Sequence, residues 1–159
     1  MNLKNAKLQT THYQLQTRKG FTLIEIMVSV ALIMFIVVAA TPVYQGLQNR
    51  NDLDIATTTV AQTIRRAQIL SQAVDGDTSW GVHIQSSSIS LFKGVSFAER
   101  DTDSDELFEI SPSLSFSGME EIVFAKFSGE PQTTGNVVLT SLNNETRTIT
   151  INEKGTISY

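Results

Sequence analysis

The chain has 159 residues, enough for one domain and one further element. Cysteine is absent, which excludes a disulfide framework, a thiolate metal site and a cysteine nucleophile. A formal charge of -4 argues against a general nucleic-acid binder, and a 41% hydrophobic content argues against a collagenous or wholly disordered chain.

The charge is divided by position. Residues 1–20 carry Lys4, Lys7, Arg18 and Lys19 and no acid, a charge of +4. The other 8 bases and all 16 acids lie in residues 21–159, a charge of -8. Between these parts runs Phe21 to Val43, 23 residues with the single charge of Glu25. As a helix it would span roughly 34 Å, enough for a bilayer core. The bases precede it, so the N-terminus is expected in the cytoplasm and the acidic part outside.

Three ordinary readings compete for this segment. A secretory signal peptide has the same order, with Val38-Ala39-Ala40 as a cleavage site, but its apolar region runs only about 7–15 residues. A plain membrane anchor has no use for Glu25, whose carboxylate costs on the order of 2–3 kcal/mol at mid-bilayer and less near an end. A soluble core helix is rarely apolar on every face for this length. A sharper reading starts from Gly20, a small residue suited to a protease subsite just after Arg18 and Lys19. Cutting after Gly20 would leave a free amine on Phe21. That cation could pair with Glu25 of a neighbouring copy, favouring assembly and fixing stagger.

Lys19-Gly20-Phe21-Thr22-Leu23-Ile24-Glu25, followed by an apolar helix, resembles the class III signal of type IV pilins and type II secretion pseudopilins. The resemblance implies cleavage between Gly20 and Phe21 by prepilin peptidase, N-methylation of Phe21, and a subunit-registration role for Glu25. Pro42 sits where that family often places a helix-kinking proline. Residues 1–20 would then be a cleaved leader, 21–43 the transmembrane and assembly helix, 44–75 an amphipathic helix and 76–159 a β-rich head. The implied partners are other pilin or pseudopilin subunits, prepilin peptidase, a membrane assembly platform and, before assembly, the lipid bilayer. The implied location is the bacterial inner membrane, single-pass with the head outside, and then the filament.

The helix is expected to continue past the membrane. Leu53, Ala56, Val60, Ile64, Ala67, Leu70 or Ser71, and Val74 recur at spacings of three and four, one helical stripe. Arg65, Arg66 and Gln68 fall off it and are expected to be solvated or to touch neighbours, on a polar helix face. Pro42 removes one backbone hydrogen bond, so a kink or melted turn is expected near Thr41–Gly46. Asp75-Gly76-Asp77 should end the helix.

After Gly76 the period changes to two. Trp80–Ile84 and Ile89–Phe92 flank Gln85-Ser86-Ser87-Ser88 as a hairpin, with Val82 and Ile84 inward and His83 on the opposite face. Further strands are expected at 114–116, 122–127, 136–142, 146–152 and 156–159, with Gly129, Pro131 and Gly135 marking a loop. The fold expected is α+β and pilin-like: one long helix packed on an antiparallel β-sheet head.

The Arg65-Arg66-Ala67-Gln68 helix end, Val123-Phe124 with Gly129 after it, and Ile149-Thr150-Ile151-Asn152-Glu153-Lys154-Gly155 resemble the H-type minor pseudopilins. Major pilins that close a C-terminal disulfide loop differ, which leans toward the minor class.

The acidic run Asp101-Thr102-Asp103-Ser104-Asp105-Glu106 offers Asp101, Asp103 and Asp105 as calcium ligands. An EF-hand loop wants glycine at its sixth position, here Glu106, so a solvated loop and no cofactor is the preferred reading. No catalytic constellation is evident. His12 lies in the leader, and His83 has no Cys or carboxylate motif beside it and reads as a solvated strand residue. Two alternatives to a structural filament subunit are carried: a DNA-binding minor pilin of an uptake system, and a signal-anchored extracytoplasmic protein of another class. The first is disfavoured by the charge of residues 21–159 and by Lys154 being the lone base in 150–159.

Overall fold

The computed structural model describes residues 20–159; residues 1–19, with His12 and most of the segment expected to be a leader, lie outside the described residues. Helix α1, Leu23–Gln72, runs for 50 residues. From Gly20 to Gln45 every residue is exposed. Cover begins at Gly46, and Leu53, Ala56, Val60, Ile64, Ala67 and Ser71 are buried, as the three-and-four spacing requires. Ser71 rather than Leu70 holds the buried position, and Leu70 packs at the rim. Thr57 and Thr63 are also buried. Their hydroxyls return to carbonyls one turn back, Leu53 at 2.7 Å and Thr59 at 2.8 Å, so neither costs an unmade hydrogen bond.

Thr41–Gly46 are helical, so the melted turn expected at Pro42 does not form. Proline withholds a single N–H, and the residues on both sides keep helical backbone. The helix stops at Gln72, short of Val74. Val74 takes left-handed backbone at φ 57°, and Gly76 follows at φ 66° within the 3-10 turn Asp75–Asp77.

The chain divides into two units, one ending at Ala40 and the other Thr41–Tyr159. The second unit holds eight strands: β1 Trp80–Gln85, β2 Ser88–Lys93, β3 Asp101–Glu109, β4 Ser115–Gly118, β5 Glu121–Phe124, β6 Gly135–Thr140, β7 Thr146–Ile151 and β8 Ile157–Ser158. They form two antiparallel sheets, ordered β3-β2-β1-β5 and β4-β6-β7-β8, where one sheet was expected. The β1–β2 hairpin closes tighter than its polar stretch suggests, since Gln85 pairs with Ser88 and leaves Ser86-Ser87 as the turn. β5 ends at Phe124 rather than Phe127. Phe127 turns into left-handed backbone at φ 70° and gives its N–H to the Ser71 carbonyl at 3.1 Å.

The acidic run is a strand and not a loop. It forms β3 at the edge of its sheet, with Leu91 opposite Glu106 and Lys93 opposite Asp101. Four residues, Thr102–Asp105, therefore face Phe92 alone, a wide bulge. One hydrophobic cluster joins the helix stripe to Val82, Ile89, Leu91, Ile122, Phe124, Val137, Leu139, Ile149 and Ile151, so α1 is packed on both sheets.

Candidate processing and assembly site

The residues singled out before the helix lie in accessible chain. Gly20, Phe21 and Thr22 are non-helical and exposed, Phe21 at 81%. A methyl group added at Gly20 would meet no atom within 4 Å. The helix starts directly afterwards because Thr22 caps it. Its hydroxyl accepts the Glu25 N–H at 3.3 Å, and its carbonyl accepts the Ile26 N–H at 3.2 Å. The Gly20–Phe21 bond is thus held in open backbone two residues ahead of a capped helix.

Thr22 was not among the residues picked from the sequence, although Thr-x-x-Glu before an apolar run is a helix-start signature. Glu25 occupies the first turn and is exposed. Its carboxylate lies at the positive end of the helix dipole, an interaction typically worth about 0.3–1 kcal/mol. The Glu25 carbonyl accepts the Ser29 hydroxyl at 2.7 Å. Beyond it the apolar side chains of α1 stay uncovered to Val43, and the helix is long and apolar enough to cross a membrane.

In the second unit Arg65 and Arg66 are exposed, as expected of a polar helix face, and each also has a partner. Arg66 makes a two-pronged bond to Glu106 of β3 at 2.5 and 2.6 Å. Arg65 reaches the Ile157 carbonyl at 3.5 Å and lies over the Tyr159 ring. Gln68 donates to the Gly129 carbonyl at 3.0 Å. These partly exposed contacts hold α1 against both sheets.

The three aspartates of β3 do not gather round one point. Asp105 pairs with Arg100 at 2.7 Å, Asp101 lies 4.0 Å from Lys93, and Asp103 is exposed. Among the described residues, no group of three or more His, Asp or Glu is placed to hold a metal.

His83 departs from the solvated reading. Phe97 folds back over it with ring centroids 3.9 Å apart and meets Phe92 edge-on at 5.6 Å. The Arg100 guanidinium covers Phe97 at 3.8 Å, and the Glu121 carboxylate accepts the Phe97 N–H at 2.8 Å. His83 is thereby half-buried in a small second cluster on the outer face of its sheet. At the end of α1, Lys126 donates to Asp77 and holds that carboxyl below its usual range.

Residues 15–41 match the family model described as the prokaryotic N-terminal methylation motif. That stretch contains the open Gly20–Phe21 bond, the Thr22 cap, Glu25 and most of the apolar run. No curated protein and no solved structure matches the chain.

Proposed function

We propose, from the class III prepilin signal of the type IV pilin and pseudopilin superfamily that this chain carries on a pilin-like α+β fold, that it is a processed filament subunit and not an enzyme. Prepilin peptidase cuts between Gly20 and Phe21, Phe21 is N-methylated, and the apolar helix carries the subunit first in the membrane and then in a filament. The observation that carries this reading is the coincidence of the matched motif with an accessible Gly20–Phe21 bond directly before a capped, membrane-length helix.

The electrostatics support assembly. Cleavage puts a new ammonium at the positive end of the helix dipole, where a cation is disfavoured. Glu25 from an adjacent copy supplies the compensating charge, and in an apolar surrounding each partner is far more costly alone than paired. The leader removes four bases, so the mature subunit carries -8. Its bases Arg50, Arg66, Lys93, Arg100, Lys126 and Arg147 each face an acid, which leaves little cationic surface for a phosphate backbone. This favours a structural role over DNA binding.

The finer reading is a minor pseudopilin of a type II secretion system, or a minor pilin, of the inner membrane. It rests on the Arg65-Arg66-Ala67-Gln68 helix end and the Ile149–Gly155 ending, together with the lack of cysteine. Intact mass of the protein from native membranes tests the core of the proposal. A chain starting at methylated Phe21 supports it. A chain starting at Thr41 makes the segment a secretory signal, and an uncut chain makes it a plain anchor.

A further inference from the structure

Six of the eight bases in residues 21–159 face an acid of their own chain. The two that remain, Arg65 and Lys154, stand at one corner of the second unit. Arg65 leaves α1 toward β8, reaching the Ile157 carbonyl at 3.5 Å and lying over the Tyr159 ring at 5.4 Å. Lys154 belongs to the turn between β7 and β8, and its carbonyl accepts from Gln68 of α1 at 3.3 Å. Between helix and turn lies a shallow groove of about 370 Å³, lined by Arg65, Gln68, Ile69, Gly155, Thr156 and Ile157 and by no acid. Ile69 and Tyr159 are both more than half exposed beside it. In a mature chain of -8, this is a cationic and apolar corner without an internal partner.

The matching surface is on the same molecule. Arg66, next in sequence, leaves α1 to a different side and pairs with Glu106 of β3. β3 and β8 are the outer strands of the two sheets, so they flank α1 on different sides. In β3, Asp103 and Glu109 are exposed and, among the described residues, form no ion pair. Leu107 stands two residues from Glu109, on the same face of the strand by alternation, and is 64% exposed. The edge thus offers acids around an uncovered leucine, where the corner offers cations around an uncovered isoleucine and tyrosine. Opposite charge steers and registers such a contact, and apolar area on both sides gives it a dry centre. Two different patches of one chain that fit each other make a heterologous contact, which repeats from copy to copy without closing into a pair.

We propose that the corner formed by Arg65, Ile69, Lys154 and Tyr159 receives the Asp103–Glu109 edge of a second copy of this chain, flank to flank, as the head contact of the filament. The inference rests on the filament-subunit reading, and the test separates the two.

The sequence has no cysteine, so single cysteines cross-link without background from the chain itself. Thr156→Cys in the groove and Leu107→Cys on the edge both replace exposed side chains. The two full-length variants are expressed together and treated in native membranes with a short bis-maleimide. A dimer joining position 156 to position 107 should form, and either variant expressed alone should give little. Arg65→Glu or Lys154→Glu in the Thr156→Cys chain should each lower that dimer several-fold. Asp103→Lys with Glu109→Lys in the Leu107→Cys chain should restore it, and raised salt should weaken the unaltered contact. Lys154 has no ion pair in its own chain, so its reversal decides the matter if Arg65→Glu loosens β8. A dimer equally abundant between two Thr156→Cys chains, or one indifferent to the reversals, overturns the docking. Intact mass of the same samples separates the failures. Methylated Phe21 at the start without a 156–107 dimer overturns the docking alone. A chain starting at Thr41, or left uncut, overturns the filament reading and this contact with it.

Discussion

Replacing Ile64 by alanine tests how the head is held on its helix. Ile64 is fully buried in the cluster that joins α1 to both sheets. The change deletes three carbon groups, a loss of about 2.4 kcal/mol by transfer at ~0.8 kcal/mol each, and incomplete collapse of the cavity brings the expected total to about 2–5 kcal/mol. Ile69 lies on the same helix but is 62% exposed, so Ile69→Ala should stay within about 0.5 kcal/mol. Both changes replace isoleucine with a better helix former, so the gain in propensity cancels in the comparison. Trp80 is the single tryptophan, buried in the same cluster, and reports unfolding directly. Urea titration of the full chain in detergent, followed by its fluorescence, should show a large loss of stability for Ile64→Ala beside a near-native Ile69→Ala. Equal losses would show that the stripe does not carry the head, and the packing argument would fail.

Glu25→Val should leave cleavage intact and abolish incorporation into filaments; normal incorporation would remove Glu25 from the assembly mechanism. Thr22→Ala removes the helix cap at a cost of about 1 kcal/mol, so amide exchange at Glu25 and Ile26 should speed up about fivefold, and unchanged rates would refute the capping role. Gly118 has φ 98°, and a Cβ there would collide with the Asn136 carbonyl, so Gly118→Ala should destabilise by about 1–3 kcal/mol. Gly20→Ala, which meets nothing, should leave thermal melting unchanged. Asp77, whose carboxyl is lowered by its hydrogen bond to Lys126 and by that charge, should titrate below 3.8 by NMR. Because the folded value is depressed, its contribution is present above the ordinary carboxylate range and lost as pH falls through the folded value. Titration of Asp77 at or above 3.8 would refute the pairing.

The helical part of the fold was legible because periodicity and length are properties of the local chain. Leu53 to Ser71 repeat at three and four, and Asp75-Gly76-Asp77 carries turn chemistry in its residue types. Gly20, Phe21 and Glu25 stand out as candidates by spacing, whereas the capping role of Thr22 shows only once the helix start is placed. What failed was decided by partners distant in sequence. The acidic run looked like a loop because five carboxylates in nine residues repel. It forms β3 because Arg66, Lys93 and Arg100 stand opposite or beside it. Alternation put His83 on the outer face correctly but carried no word of Phe97 returning to cover it. The division of the strands into two sheets depends on register between distant segments, which strand patterns alone leave open.

The bulge in β3 bears on how copies of this chain can meet. An edge strand with free backbone groups is a template on which another chain can add a strand, the usual route to amyloid-like aggregation. Here Thr102–Asp105 break the regular ladder, and Asp101, Asp103 and Glu109 line the exposed rim with negative charge. A second strand would meet both a broken repeat and like charges. In a subunit proposed to gather at high local density through its apolar helix, that edge blocks the competing, irreversible mode of association.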